Sequence, residues 1–250
     1  MPDAAVLDPE TDPVTATPPD AERHAHGPVV LAGEGLVKRF GQTEALRGID
    51  IDVARGEILA IMGPSGSGKS TLLHCLAAII RPDAGRVTFD GARIDDLGEG
   101  PRTTLRRRSF GFVFQFGQLV PELPAVENVA LPLLLDGVNR AEAQARAAQM
   151  FPRLGLDGLE GRRPGEMSGG QAQRVAVARA LVTAPAVVFA DEPTGSLDSL
   201  AGEQVMELLT DAARATSTAV VLVTHEPRIA AYADREVVVR DGRIAAVTGR

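Results

Sequence analysis

Gly63-Pro64-Ser65-Gly66-Ser67-Gly68-Lys69-Ser70-Thr71 follows the pattern G-x-x-x-x-G-K-[ST], between a short apolar run at 57–62 and a helical pattern expected over 69–80. Glycines let the backbone wrap closely enough for the N–H groups of the loop and helix start to donate to phosphate oxygens. In such a loop Lys69 brings positive charge to the β/γ-phosphates, and the Ser70 hydroxyl is placed to ligate Mg²⁺. A glycine-rich turn with no phosphate to bind would leave Lys69 unexplained.

A second chemical feature lies at the end of the apolar stretch 186–190, where Asp191 and Glu192 follow one another. A buried strand is a rigid support. At its C-terminal end Asp191 can fix a metal shell beside the phosphate loop, and Glu192 then stands where a base for an attacking water is needed. The third feature is Met167-Ser168-Gly169-Gly170-Gln171, opening a helix 99 residues after Lys69 and 23 before Asp191. Its serine and paired glycines again aim backbone donors and a helix N-terminus at phosphate. One chain has no obvious use for two cradles on one nucleotide, so the economical arrangement is a second copy presenting the 168–171 turn across an interface.

The elements that must position these residues follow from periodicity. Residues 29–37 and 49–53 read as strands, the second alternating Ile49, Ile51 and Val53 with Asp50 and Asp52, and the two are expected to pair as an antiparallel edge sheet. Strands are also expected at 86–89 and 110–114, with a turn at Asp90-Gly91. From 121 to 163 the pattern becomes helical, with helices expected over 125–135 and 140–154. Strand and helix alternation then resumes: helix 169–182, strand 186–190, helix 200–215, strand 219–224, and a terminal hairpin around Asp241-Gly242. Such alternation implies a largely parallel sheet covered on both faces. The fold class expected is therefore α/β, with an antiparallel edge sheet and an inserted helical subdomain at about 116–167.

Composition, at 44% hydrophobic and 24% charged residues, excludes both a disordered chain and a membrane-embedded one. No secretory signal pattern opens the sequence. Residues 1–28 hold six acids against Arg23, a net of −5, and are read as a disordered, Pro-rich acidic tail; that leaves −2 for the rest of the −7. A nearly neutral domain lacks the basic footprint of a nucleic-acid binder. The run Arg102, Arg106, Arg107 and Arg108 reads as a solvated helix face. Cys75 stands alone among leucines, which excludes an intrachain disulfide and reads as a small core residue. Of the histidines, only His225, directly after an apolar strand and Thr224, shares the sheet-end position of Asp191.

Taken together, these motifs resemble the nucleotide-binding domains of the ABC transporter superfamily, whose signature is Leu-Ser-Gly-Gly-Gln, over about residues 29–249; Met167 replaces the signature leucine. The resemblance implies a P-loop ATPase with ATP and Mg²⁺ as cofactors. It implies further roles. Phe40 corresponds to the aromatic that stacks on adenine, Gln115 to the glutamine that senses the metal and γ-phosphate, and His225 to the histidine contacting the γ-phosphate. Ser196, Leu197 and Asp198 correspond to the loop that crosses the dimer interface. The stretches 111–115, 127–133 and 191–195 are most similar to the branch of macrolide and peptide exporters and lipoprotein-releasing systems; Ser196 stands where members of that branch often have Asn. The expected partners are a second ATP-binding subunit and a separate transmembrane permease, with the protein peripheral on the cytoplasmic face of the membrane. A groove near 115–123, offering Phe116, Leu119, Val120 and Leu123, is the expected docking place. A soluble ABC ATPase of translation or DNA maintenance fits less well, because those carry two nucleotide domains or long insertions. A regulatory or division-associated subunit that moves no solute is the alternative reading.

Overall fold

The computed structural model describes residues 27–249, so the acidic tail expected over 1–28 lies, except for its last two residues, outside the described residues. Two sheets share the core. The first is antiparallel, in the order β2-β1-β4-β5, from β1 (Val29–Phe40), β2 (Thr43–Ala54), β4 (Ala84–Phe89) and β5 (Ala92–Arg93). β1 and β2 pair antiparallel as the sequence predicts, Leu31 opposite Val53 and Leu36 opposite Ile49. The second sheet has the order β10-β9-β3-β8-β7-β6, from β3 (Ile58–Met62), β6 (Phe110–Phe114), β7 (Val187–Asp191), β8 (Ala219–Val223), β9 (Arg235–Arg240) and β10 (Arg243–Gly249). Its strands run parallel except for the β9–β10 hairpin.

The parallel strands are apolar on both faces because both faces are covered. Successive residues divide between two cores, as the two-residue period requires. Ile58, Ala60, Val188, Ala190, Val220 and Leu222 face a helical layer formed by α3 (Ala125–Leu135), α4 (Arg140–Ala148), α5 (Met150–Arg153), α6 (Gly169–Leu181) and α7 (Ser199–Thr216). Leu59, Ile61, Val187, Phe189, Val221 and Val223 face the antiparallel sheet and α1 (Lys69–Leu76). Each Val, Leu, Ile or Phe side chain among them contributes about 1.5–3 kcal/mol when fully buried, so the central strands are a rigid platform for what their C-terminal ends carry.

Two helices end earlier than their sequence pattern suggests. α1 stops at Leu76 instead of running to 80, because Ala78 turns left-handed (φ 53°) and the Ile79 and Ile80 amides both close back on His74 O. The stretch expected as one helix over 140–154 divides at Gln149 into α4 and α5; Pro152 has no N–H to give the carbonyl four residues back. The arginine run lies on α2 (Glu99–Ser109), which buries none of its residues. It is not a freely solvated face. Arg107 Nε and Arg108 Nε both reach Asp136 Oδ1, at 2.9 and 2.8 Å, Arg106 Nη1 donates to Ala78 O, and Arg102 pairs with Glu99. The ion pairs tie α2 to the end of α3. A last short helix, α8 (Pro227–Ala230), precedes β9.

Candidate active site

The 63–71 loop joins β3 to α1 and is pressed between neighbours. Gly63 lies at φ 142°, where a Cβ would overlap the Val239 carbonyl of β9, so only glycine fits. Lys69 is 8% exposed, and its Nζ donates to Gly63 O and Pro64 O, each at 2.9 Å, so that the ammonium is curled back over the loop. Ser70 Oγ donates to Asp191 Oδ1 at 3.2 Å, which joins the loop to the end of β7. The Ser67 hydroxyl is buried with no partner among the described residues. The remaining loop positions, Ser65, Gly66, Gly68 and Thr71, complete the turn and the first helical turn.

Beyond β7, Glu192 takes the left-handed conformation (φ 48°), pinned by donation of its amide to Val223 O of β8 at 2.9 Å. Such a conformation costs about 1–3 kcal/mol in a non-glycine residue and persists only where the surroundings enforce it. Its carboxylate meets His225 Nδ1 at 2.9 and 3.0 Å. The sequence expectation that His225 and the 191–192 pair converge through the sheet is met. Ser70, Gln115, Asp191 and Glu192 line one cleft of about 270 Å³ together with Phe114 and Phe116.

The 168–171 turn lines a different cleft. Ser168 Oγ accepts from the Gln171 amide (3.2 Å) while Gln171 Oε1 accepts from the Ser168 amide (2.9 Å), a reciprocal cap at the start of α6. Ser168, Gly169 and Gly170 share about 250 Å³ with Ser196, Leu197 and Asp198. The Asp198 carboxylate caps α7 by accepting from the Ala201 amide at 2.9 Å. Ser196 Oγ donates to Gln115 O at 2.7 Å. Phe40 ends β1 with half of its surface exposed, and Lys38 Nζ lies 5.6 Å from its ring centre. The residues expected for the site are therefore divided between separate clefts of one chain.

The family model described as ABC transporter matches residues 46–195. The chain belongs to that family. Among curated proteins, the lipoprotein-releasing system ATP-binding protein LolD of Bordetella pertussis is 49% identical over 201 residues, 80% of this chain and 87% of that protein. The macrolide export ATP-binding/permease protein MacB of Nitrosomonas europaea is 46% identical over 224 residues, 88% of this chain but 34% of that longer protein. Among solved structures, the dimeric post-hydrolysis state of the cassette MJ0796 bound to ADP and phosphate superposes with a TM-score of 0.79 at 36% identity, covering 88% of this chain and 98% of that one. This ABC chain is accordingly an ATPase subunit of a transporter, and the branch resemblance read from the sequence agrees with its relatives.

Within this ABC subunit, the four apolar residues expected to offer a docking groove divide. Phe116 is 75% exposed, whereas Leu119 packs against the helical core and Val120 is fastened by Asn128, whose Oδ1 accepts from its amide at 2.7 Å. Three of the four, Leu119, Val120 and Leu123, are partly buried locally. Gln173 and Arg179, which belong to none of the motifs read in the sequence, both hold the loop around Gln115. Their signal is only their recurrence on one face of a helix already assigned to the signature.

Proposed function

We propose that two copies of this chain, or this chain and a close relative, close head to tail around two ATP molecules, and that closure and reopening drive a separate membrane-embedded exporter or extraction system. The ATPase domain is taken as residues 29–250 with a helical lobe at about 116–167. The observation that carries the reading is the division of one chain's candidate residues between two clefts: Ser70 of the phosphate loop, Gln115, Asp191 and Glu192 about one, Ser168, Gly169, Gly170 and Asp198 about the other. Two-fold assembly completes both sites at once.

In the closed pair, phosphate oxygens take the place of the Gly63 and Pro64 carbonyls as partners of Lys69, and the loop amides supply the remaining donors. Phe40 stacks on the base. Ser70 Oγ, Asp191 Oδ1 and the side-chain oxygen of Gln115 are hard oxygen donors about one cleft, a set suited to Mg²⁺. Ser70, Gln115 and Asp191 would hold such an ion, which would supply positive charge against the phosphates. Glu192 orients the attacking water and accepts its proton, while His225 steadies the carboxylate and faces the γ-phosphate. Ser168, Gly169, Gly170 and Gln171 donate from the partner copy.

The relatives named for lipoprotein release and macrolide export support a cargo drawn from or across a membrane. The alternative of a regulatory or division-associated subunit draws no support from them. Among the described residues no helix is long and apolar enough to cross a bilayer. The likeness to ATP-binding subunits of membrane transport systems supports a place beside a separate permease, at its cytoplasmic face. The test is complementation between inactive chains. Ser168→Arg blocks the trans contact and Lys69→Ala empties the phosphate loop, so each alone has little ATPase activity. A mixture regains one intact composite site per mixed dimer. No recovery above the two separate mutants would rule out the shared site.

A further inference from the structure

The loop after β6 carries Gln115, and its carbonyls are held in succession by side chains from other elements. Gln173 Nε2, on a residue 2% exposed, donates to Phe114 O at 2.8 Å. Ser196 Oγ donates to Gln115 O. Arg179 Nη2 donates to Gly117 O at 2.6 Å and Nη1 to Gln118 O at 2.8 Å. Among the described residues the Arg179 guanidinium meets carbonyl oxygens and no carboxylate, and burial lowers its pKa. A desolvated cation kept on two carbonyls is costly unless both bonds are made.

Residues 173, 176 and 179 recur every three positions, so one face of α6 lies along the loop. A Cβ added to Gly117 would touch Ala176 Cβ at 3.5 Å. The start of the same helix is the 168–171 turn. At about 1.5 Å rise per residue, Gln173 and Arg179 lie roughly 8 and 16 Å along the axis from Ser168.

We infer that α6 is a strut between two nucleotides: contact of its first turn with the partner's phosphates sets, through Gln173 and Arg179 as positioning residues, where Gln115 stands over its own chain's nucleotide. The inference rests on the proposed roles of Gln115 and of the 168–171 turn. It goes beyond them by giving the two half-sites of one chain a mechanical connection, so that a site left empty on one side loosens the metal shell on the other.

The test uses the full chain with Gln173→Leu, which keeps the volume and loses the donor, and Arg179→Met, which keeps the stem and loses both donors. Each should lower kcat by about tenfold and raise the Mg²⁺ concentration for half-maximal rate several-fold, since small misplacements of reacting groups are costly. Binding of a fluorescent ATP analogue without Mg²⁺ should stay within about twofold, because the loop amides and Lys69 are untouched. In a Gln115→Ala background neither substitution should slow the enzyme further, as expected of residues acting through one group. Arg179→Lys, retaining the charge and one donor group, should fall between wild type and Arg179→Met, and it stands in if Gln173→Leu melts below the assay temperature. Losses that multiply with that of Gln115→Ala, or unchanged kcat and Mg²⁺ dependence in the single variants, would overturn the strut. If instead Gln115→Ala alone runs at the wild-type rate with wild-type Mg²⁺ dependence, the role of Gln115 falls first, and the strut with it.

Discussion

Glu192 is where the backbone is held left-handed at φ 48°, its amide on Val223 and its carboxylate on His225. Glu192→Gln preserves size and hydrogen bonding to water, but an amide cannot take the proton that the water must lose. Loss of a general base costs about 10²- to 10⁴-fold, or roughly 3–5 kcal/mol of barrier. Turnover should therefore fall by that factor while ATP affinity holds, measured by steady-state hydrolysis and nucleotide titration; wild-type turnover would remove Glu192 as the base. Cys75 is the opposite kind of residue. Burial pushes its thiol from the ordinary 9.0 up to about 12, so it stays protonated and shielded in the folded protein. The raised value stabilises the fold fully below pH 9, and that contribution falls as pH rises from there towards 12. At pH 8 an alkylating reagent should label the unfolded chain and leave the native one unmodified; rapid native labelling would contradict the burial.

At the scale of elements, β6 and α6 approach so closely that a Cβ on Gly111 would overlap the Ala180 carbonyl. Gly111→Ala should force them apart, costing about 1–3 kcal/mol as overpacking does. For a chain of this size that lowers Tm by roughly 2–12 °C in a melting experiment. Gly100, on exposed α2 with nothing within 4 Å of its Cβ position, is the comparison. Gly100→Ala should leave Tm unchanged or raise it, since alanine is the better helix former. Equal losses at both positions would mean that packing between β6 and α6 is not what Gly111 serves. The two elements run antiparallel, Gly111 beside Ala180 and Phe114 beside Gln173, with Gln115 following β6 and Ser168 preceding α6, so their spacing bears on the site as well as on stability.

For the whole molecule, the prediction concerns association. ATP lies between two chains in the proposed assembly, so binding holds the pair and hydrolysis releases it. A Glu192→Gln chain with Mg-ATP should elute as a dimer on size exclusion, whereas wild type, which consumes its nucleotide, should elute mainly as monomer. Asp191→Asn is the control: it removes charge from the proposed metal shell beside Ser70, and should weaken the ATP-bound dimer itself. An inactive Glu192→Gln chain that stays monomeric with ATP would mean that this subunit does not pair without its membrane partner.

The sequence by itself determined the residue spacing of each candidate half-site and the order of the elements, because both depend on local pattern. The 63–71 loop needs its glycines and lysine at fixed spacing, Asp191 needs an apolar strand before it, and the reciprocal cap of Ser168 and Gln171 spans four residues. Periodicity likewise separated the parallel strands from the edge sheet. Local pattern misplaced the end of α1, since the closure on His74 depends on Ala78 adopting a conformation that alanine rarely favours. It could not show that Arg107 and Arg108 meet Asp136, 28 or more residues away, or that Leu119 turns into the core while Phe116 stays exposed. Nor could it find Gln173 and Arg179. Their partners are backbone carbonyls, which every residue carries and no motif records, so only the packing of α6 along the Gln115 loop revealed what they hold.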